Sequence, residues 1–151
     1  MKEKKIKSDG SIAAVFRYEN KGKLKRPLIG SNIAAGFPSP AQDFIEASLD
    51  LNEYLIEHPA ATYFVKVEGF SMINAGIHPG DILIVDRAIE PAHNKIIIAV
   101  VEGELTVKRL VIENDRWFLV PENGSYNSIE VTEDMDFQVW GVVSYAIHKV
   151  K

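Results

Sequence analysis

The chain of 151 residues contains no cysteine, which excludes a disulfide framework, thiol catalysis and thiolate metal sites. Long apolar runs are missing too. The longest, Ile96–Val101, has six residues, against the roughly 20 that a bilayer-spanning helix needs. The opening Met1-Lys-Glu-Lys-Lys-Ile-Lys7 lacks the apolar stretch of a secretory signal, so a cytoplasmic protein with no membrane contact is expected. Histidines are few and scattered, at 58, 78, 93 and 148, without the spacing of metal ligands; no metal and no other cofactor is expected. No glycine-rich phosphate loop, internal repeat or low-complexity tract occurs.

What remains is the composition of a globular domain with 46% apolar and 25% charged residues, long enough for one substantial core. The net charge of −4 conceals an asymmetry. Residues 1–35 carry nine Lys/Arg and three Asp/Glu, whereas residues 36–151 carry eight and eighteen. A basic arm thus precedes an acidic body. Such an arm is either a solvated segment or one that docks on the body or on a partner containing nucleic acid. It is too short for a packed three-helix DNA-reading domain, so direct sequence-specific DNA binding is not expected.

The pattern along the chain is mainly β. In the arm, Ile12, Ala14, Phe16 and Tyr18 alternate as in a short strand, and the basic stretch Lys21–Pro27 reads as a linker or turn. Ser39-Pro40-Ala41-Gln42 has the form of a helix start. Phe44, Ala47, Ser48, Leu51 and Leu55 follow at helical spacing, as one helix or as two short ones bent near Asp50. From Ala61 onward, strands are expected over 63–68, 82–86, 95–101, 105–112, 117–120 and 137–147. Turn signals separate them at His78–Asp81, Glu102–Glu104, Glu113–Asp115 and Pro121–Gly124. Trp117 and Trp140 read as core or interface residues.

Two segments carry chemistry. Gly69-Phe70-Ser71-Met72 follows a strand and offers a sharp turn that presents the Ser71 hydroxyl. Thr106-Val107-Lys108-Arg109-Leu110 places Lys108 inside a strand, on the face of Leu110 and Ile112. A lysine in an apolar face is disfavoured unless it has a task, because burial penalises its charge. The task that fits is to take the proton from the serine hydroxyl as a general base, with Thr106 on the same face to orient the amine. Backbone amides at and near Ser71 would form an oxyanion hole. Upstream, Ile33-Ala34-Ala35-Gly36-Phe37-Pro38 joins small residues to a turn, and Ala35-Gly36 suits close approach of a nucleophile.

Together with Gly36–Ala41, Ala61–Lys66, Gly80–Asp86 and Thr106–Leu110, these elements resemble the LexA/UmuD family of self-cleaving Ser-Lys peptidases, and its UmuD branch in particular. The resemblance extends from residue 33 to about residue 145. The spacings, 35 residues from Gly36 to Ser71 and 37 from Ser71 to Lys108, also fit. Phe70 stands where the UmuD prototype has an acidic residue, Ala35 replaces a cysteine, and the arm is longer. The resemblance implies a peptidase fold of coiled, mostly antiparallel sheets. It implies that Ser71 and Lys108 cut the Ala35–Gly36 bond, with Thr106 and Met72 in support, removing arm 1–35 from peptidase and dimerisation domain 36–151. It further implies stimulation by a RecA filament on single-stranded DNA, a homodimeric product, and service to a UmuC-like translesion polymerase in the response to DNA damage. The rival readings are a non-cleaving dimeric scaffold of the same fold and a Ser-Lys peptidase acting on other proteins.

Overall fold

The computed structural model describes residues 7–29 and 45–151. It divides into two compact units, Asn20–Glu57 and a larger one that joins the segment ending at Glu19 to His58–Lys151. Among the described residues no helix is long and apolar enough to cross a membrane.

The larger unit is one antiparallel sheet of eight strands. In chain order they are β1 (Ile12–Arg17), β4 (Thr62–Val67), β5 (Ile82–Asp86), β6 (Ile96–Val101), β7 (Glu104–Glu113), β8 (Arg116–Val120), β9 (Ile129–Val131) and β10 (Phe137–Ile147). Their spatial order is β1-β4-β5-β10-β6-β7-β8-β9. The mainly β, antiparallel expectation holds, and the strand signals from Ala61 onward match within a residue or two. Strand β9 was not expected; its three residues are too few for a period-two signal, and pairing with β8 defines it.

Tight turns set the register. Glu102 and Gly103 both have positive φ, 49° and 80°, as do Asn114 and Asp115, 50° and 61°. These two-residue connections suit the twist of a hairpin, and they fix β6-β7-β8 as a meander. Residue alternation then buries both faces. Ile98 and Val107 join one cluster with Val65, Met72 and Leu83, while Ile97 and Leu110 join another with Leu119 and Val142. Each such side chain contributes roughly 1.5–3 kcal/mol by leaving water.

In the smaller unit, β2 (Lys25–Ile29) pairs antiparallel with β3 (Ile45–Asp50), followed by the short helix α1 (Leu51–Leu55). Two expectations are corrected here. Lys25–Pro27 belongs to a strand rather than to a linker, with Pro27 opposite Ser48 in a two-stranded ribbon that tolerates it. Residues 45–50 are extended rather than helical, because their backbone groups pair with β2 and pairing overrides side-chain spacing. Of the two short helices expected to meet near Asp50, only α1 is present among the described residues, and it starts directly after Asp50. The Asp50 carboxylate accepts from the amides of Asn52 and Glu53, at 3.0 and 3.3 Å, and caps α1. The proposed helix start at Ser39–Gln42 lies outside the described residues.

Strand β10 bends at two register shifts, Val139/Gly141 and Val143/Tyr145. At the first, a Cβ on Gly141 would sit 2.5 Å from Val85 Cγ1. Gly141→Ala is therefore expected to destabilise the protein by about 1–3 kcal/mol through overpacking; a urea midpoint equal to that of the parent would refute this close approach.

The turn before β5 is closed by Asp81, which is 2% exposed. Its Oδ2 accepts from the His78 amide at 2.8 Å, and its Oδ1 accepts from His148 Nδ1 at 2.7 Å. Burial pushes the Asp81 carboxyl up, but those two hydrogen bonds and the adjoining histidine charges outweigh it and hold the carboxyl below its ordinary value. A carboxyl lowered on folding adds stability that is complete above its unfolded value of about 3.9 and is lost as pH falls through the folded one. Asp81→Asn should then cost roughly 1–3 kcal/mol near neutrality, with the difference from the parent shrinking below about pH 4. Thermal melts across that range check it, and a pH-independent difference would contradict the assignment.

Candidate active site

After β4 the chain turns at Gly69, whose φ of 74° favours glycine. A Cβ there would also lie 2.9 Å from the Gly10 carbonyl oxygen. Three residues on from Gly69, Met72 is 1% exposed and packs into the larger core cluster, which pins the turn from below. The Phe70 carbonyl accepts from the Ile73 amide at 3.3 Å and from Asn123 Nδ2 at 2.9 Å. Asn74 donates its amide to the Glu122 carbonyl at 2.8 Å. Ser71 is thereby held between fixed neighbours, itself only 5% exposed. Phe70 projects outward and is largely exposed.

Lys108 sits mid-strand in β7 and is 4% exposed. Its Nζ donates to Thr106 Oγ1 at 2.7 Å, to the Val107 carbonyl at 3.0 Å and to Asp9 Oδ2 at 3.2 Å. Thr106 in turn donates to the same Asp9 oxygen at 2.6 Å. Arg109, on the opposite face, pairs with Glu122 and donates to the Asn94 carbonyl. Ser71 and Lys108, 37 residues apart in sequence, line one cleft of about 300 Å³. Gly69 and Phe70 share its wall, and Tyr126, Asn127 and Ile129 close another side. Ala35 and Gly36 lie outside the described residues.

Asp9 and Ser11 were not singled out from the sequence, and both line this cleft. Ser11 Oγ donates to Asp9 Oδ1, and its amide donates to the same oxygen at 3.0 Å. The Val107 amide donates to Ser11 Oγ at 3.1 Å. Burial pushes the Asp9 carboxyl up, but the Ser11 and Thr106 hydroxyls, the Lys108 charge and the Ser11 amide together hold it below its ordinary value. Ser8-Asp9-Gly10-Ser11 reads as an ordinary polar turn; the signal that could have marked it is a carboxylate in an otherwise basic segment.

The structure also gathers His78, Asp81 and His148, with one ligand-type atom from each within 4.8 Å of the others. Sequence spacing did not show this, because His148 lies at the far end of β10. Both oxygens of Asp81 already accept hydrogen bonds there, so the group is accounted for as the closure of a turn.

The profile described as Peptidase S24-like matches residues 27–144. Protein SamA of Salmonella typhimurium is 46% identical over 125 residues, 83% of this chain and 86% of that protein. Protein ImpA of Escherichia coli is 44% identical over 126 residues, with the same coverage. The LexA repressor of Bordetella parapertussis is 35% identical over 138 residues, 91% of this chain and 63% of that protein. With a peptidase profile over most of its length and relatives of this kind, the chain belongs to the Peptidase S24-like family, as a UmuD-type member of the LexA/UmuD group.

Proposed function

We propose that the protein cleaves its own Ala35–Gly36 bond with Ser71 as nucleophile and Lys108 as general base. The observation that carries this reading is the shared cleft: a buried hydroxyl and a buried amine, brought together from two distant segments of a peptidase-family chain. Ser71 Oγ attacks the Ala35 carbonyl carbon while its proton passes to the neutral Lys108 amine. The oxyanion that forms needs donors. The Ser71 and Met72 amides serve, since neither is bonded to a backbone carbonyl among the described residues. The C–N bond breaks as Lys108 returns the proton to the Gly36 nitrogen. Water, deprotonated by Lys108, then attacks the acyl-serine and frees Ser71. Thr106 orients the amine through its hydrogen bond.

The products are arm 1–35 and body 36–151. Tethering supplies the scissile segment at high effective concentration, so no subsite for diffusing peptides is needed. By likeness to the family, a RecA filament on single-stranded DNA stimulates the cut, and the trimmed body forms a homodimer that serves a UmuC-like translesion polymerase in the DNA-damage response.

Purified protein held at about pH 7.5 and about pH 10 is expected to release a fragment of 116 residues beginning at Gly36, faster at the higher pH. Ser71→Ala should release none. Intact mass spectrometry reads both results. A chain that stays whole at both pH values and beside a RecA–DNA filament would leave the scaffold reading in its place.

A further inference from the structure

The cleft is not vacant of protein at its lysine end. We propose that this end is a subsite for an acidic, extended segment, and that residues 7–11 of the same chain fill it at rest and exclude the scissile segment. The inference deepens the self-cleavage reading above and rests on it for its regulatory meaning.

Three independent contacts place the segment. The first is strand pairing. β8 covers β7 only from Arg109 onward, which leaves Leu105–Val107 open on that side. Residues 7–11 occupy this stretch. Leu105 donates its amide to the Lys7 carbonyl at 3.0 Å and accepts from the Asp9 amide at 3.1 Å, as a parallel bridge centred on Ser8. The Val107 amide is taken by Ser11 Oγ. An incoming peptide would add to a sheet edge by the same groups. The second contact is steric: the Gly10 carbonyl lies against Gly69 so closely that no side chain fits there, two residues before Ser71. The third is charge. Asp9 sets its carboxylate on Lys108 and Thr106 together.

The third contact bears on chemistry. An ammonium has three N–H donors and no lone pair. Lys108 has three acceptors around it, one of them a carboxylate. In that geometry the amine has nothing with which to accept the Ser71 proton. Other charges nearby are engaged elsewhere: Lys7 pairs with Glu104 at 3.9 Å, and Arg109 pairs with Glu122 on the far face of β7. Among the described residues, Asp9 is the carboxylate bonded to this amine. Its departure would open the strand edge and remove one of the three acceptors that occupy the amine in a single motion.

The test uses the full chain. Asp9→Asn should speed release of the 116-residue fragment on the order of tenfold at about pH 7.5, as expected for loss of one charge-assisted hydrogen bond. At about pH 10, close to the ordinary range of a lysine amine, the gain should be smaller. The peptide Lys-Ser-Asp-Gly-Ser added to Asp9→Asn should slow it again, whereas the same peptide with Asn in place of Asp should not. An Asp9→Asn protein that cleaves no faster than the parent overturns the proposal. Should neither protein cleave under any condition, self-cleavage fails and the subsite is read separately. Acetylation of Lys108 by acetic anhydride, located by peptide mass mapping in a Ser71→Ala background, should rise several-fold with Asp9→Asn. Unchanged labelling would then overturn the subsite itself.

Discussion

A lysine amine buried in the middle of a strand is the constraint from which the rest of this structure follows. Lys108 is enclosed on β7 with Thr106 and Leu110 on its own face. A lone charge so placed is costly, and it persists only when hydrogen-bonded and paired. The chain meets that requirement with a threonine two residues away and a carboxylate 99 residues away. The hairpins on either side of β7 hold the amine at fixed depth. The same sheet carries the Ser71 turn, which leaves β4 at a glycine and is anchored by Met72.

Much of this was legible in the chain because the information is local. The six strands after Ala61 announce themselves through alternation and through turn residues that need positive φ, such as Gly103 and Asn114. Ser71 and Lys108 are legible for a different reason: each contradicts its surroundings, one as a serine at a forced turn and the other as a charge in an apolar face. What stayed hidden is whatever depends on distant pairing. Ile45–Asp50 carries helical spacing yet lies in a ladder with β2. Asp9 reads as a turn residue until the fold brings β7 to it. His148 and Asp81 are 67 residues apart and meet only because β10 runs beside β5.

The polar atoms of the site form a connected set rather than a list. Asp9 accepts from Ser11, Thr106 and Lys108, and Ser11 in turn satisfies the Val107 amide. A network of this kind is stable when complete and strongly disfavoured when one member leaves. On the reading proposed above, opening the cleft would break these bonds together, and a stimulating partner would need only to prefer the open state.

The edge position of β1 has one more consequence. Its ladder with β4 runs from Ile12↔Val67 to Arg17↔Tyr63, and Ile12, Ala14 and Val15 are buried beneath it. Cutting the chain anywhere between these two strands breaks one covalent bond and no part of that ladder. The severed piece would stay in place as a bound peptide, and its off-rate, rather than the rate of bond breaking, would time the exposure of the β4 edge. Hydrolysis would then act as a licence, and dissociation as the clock.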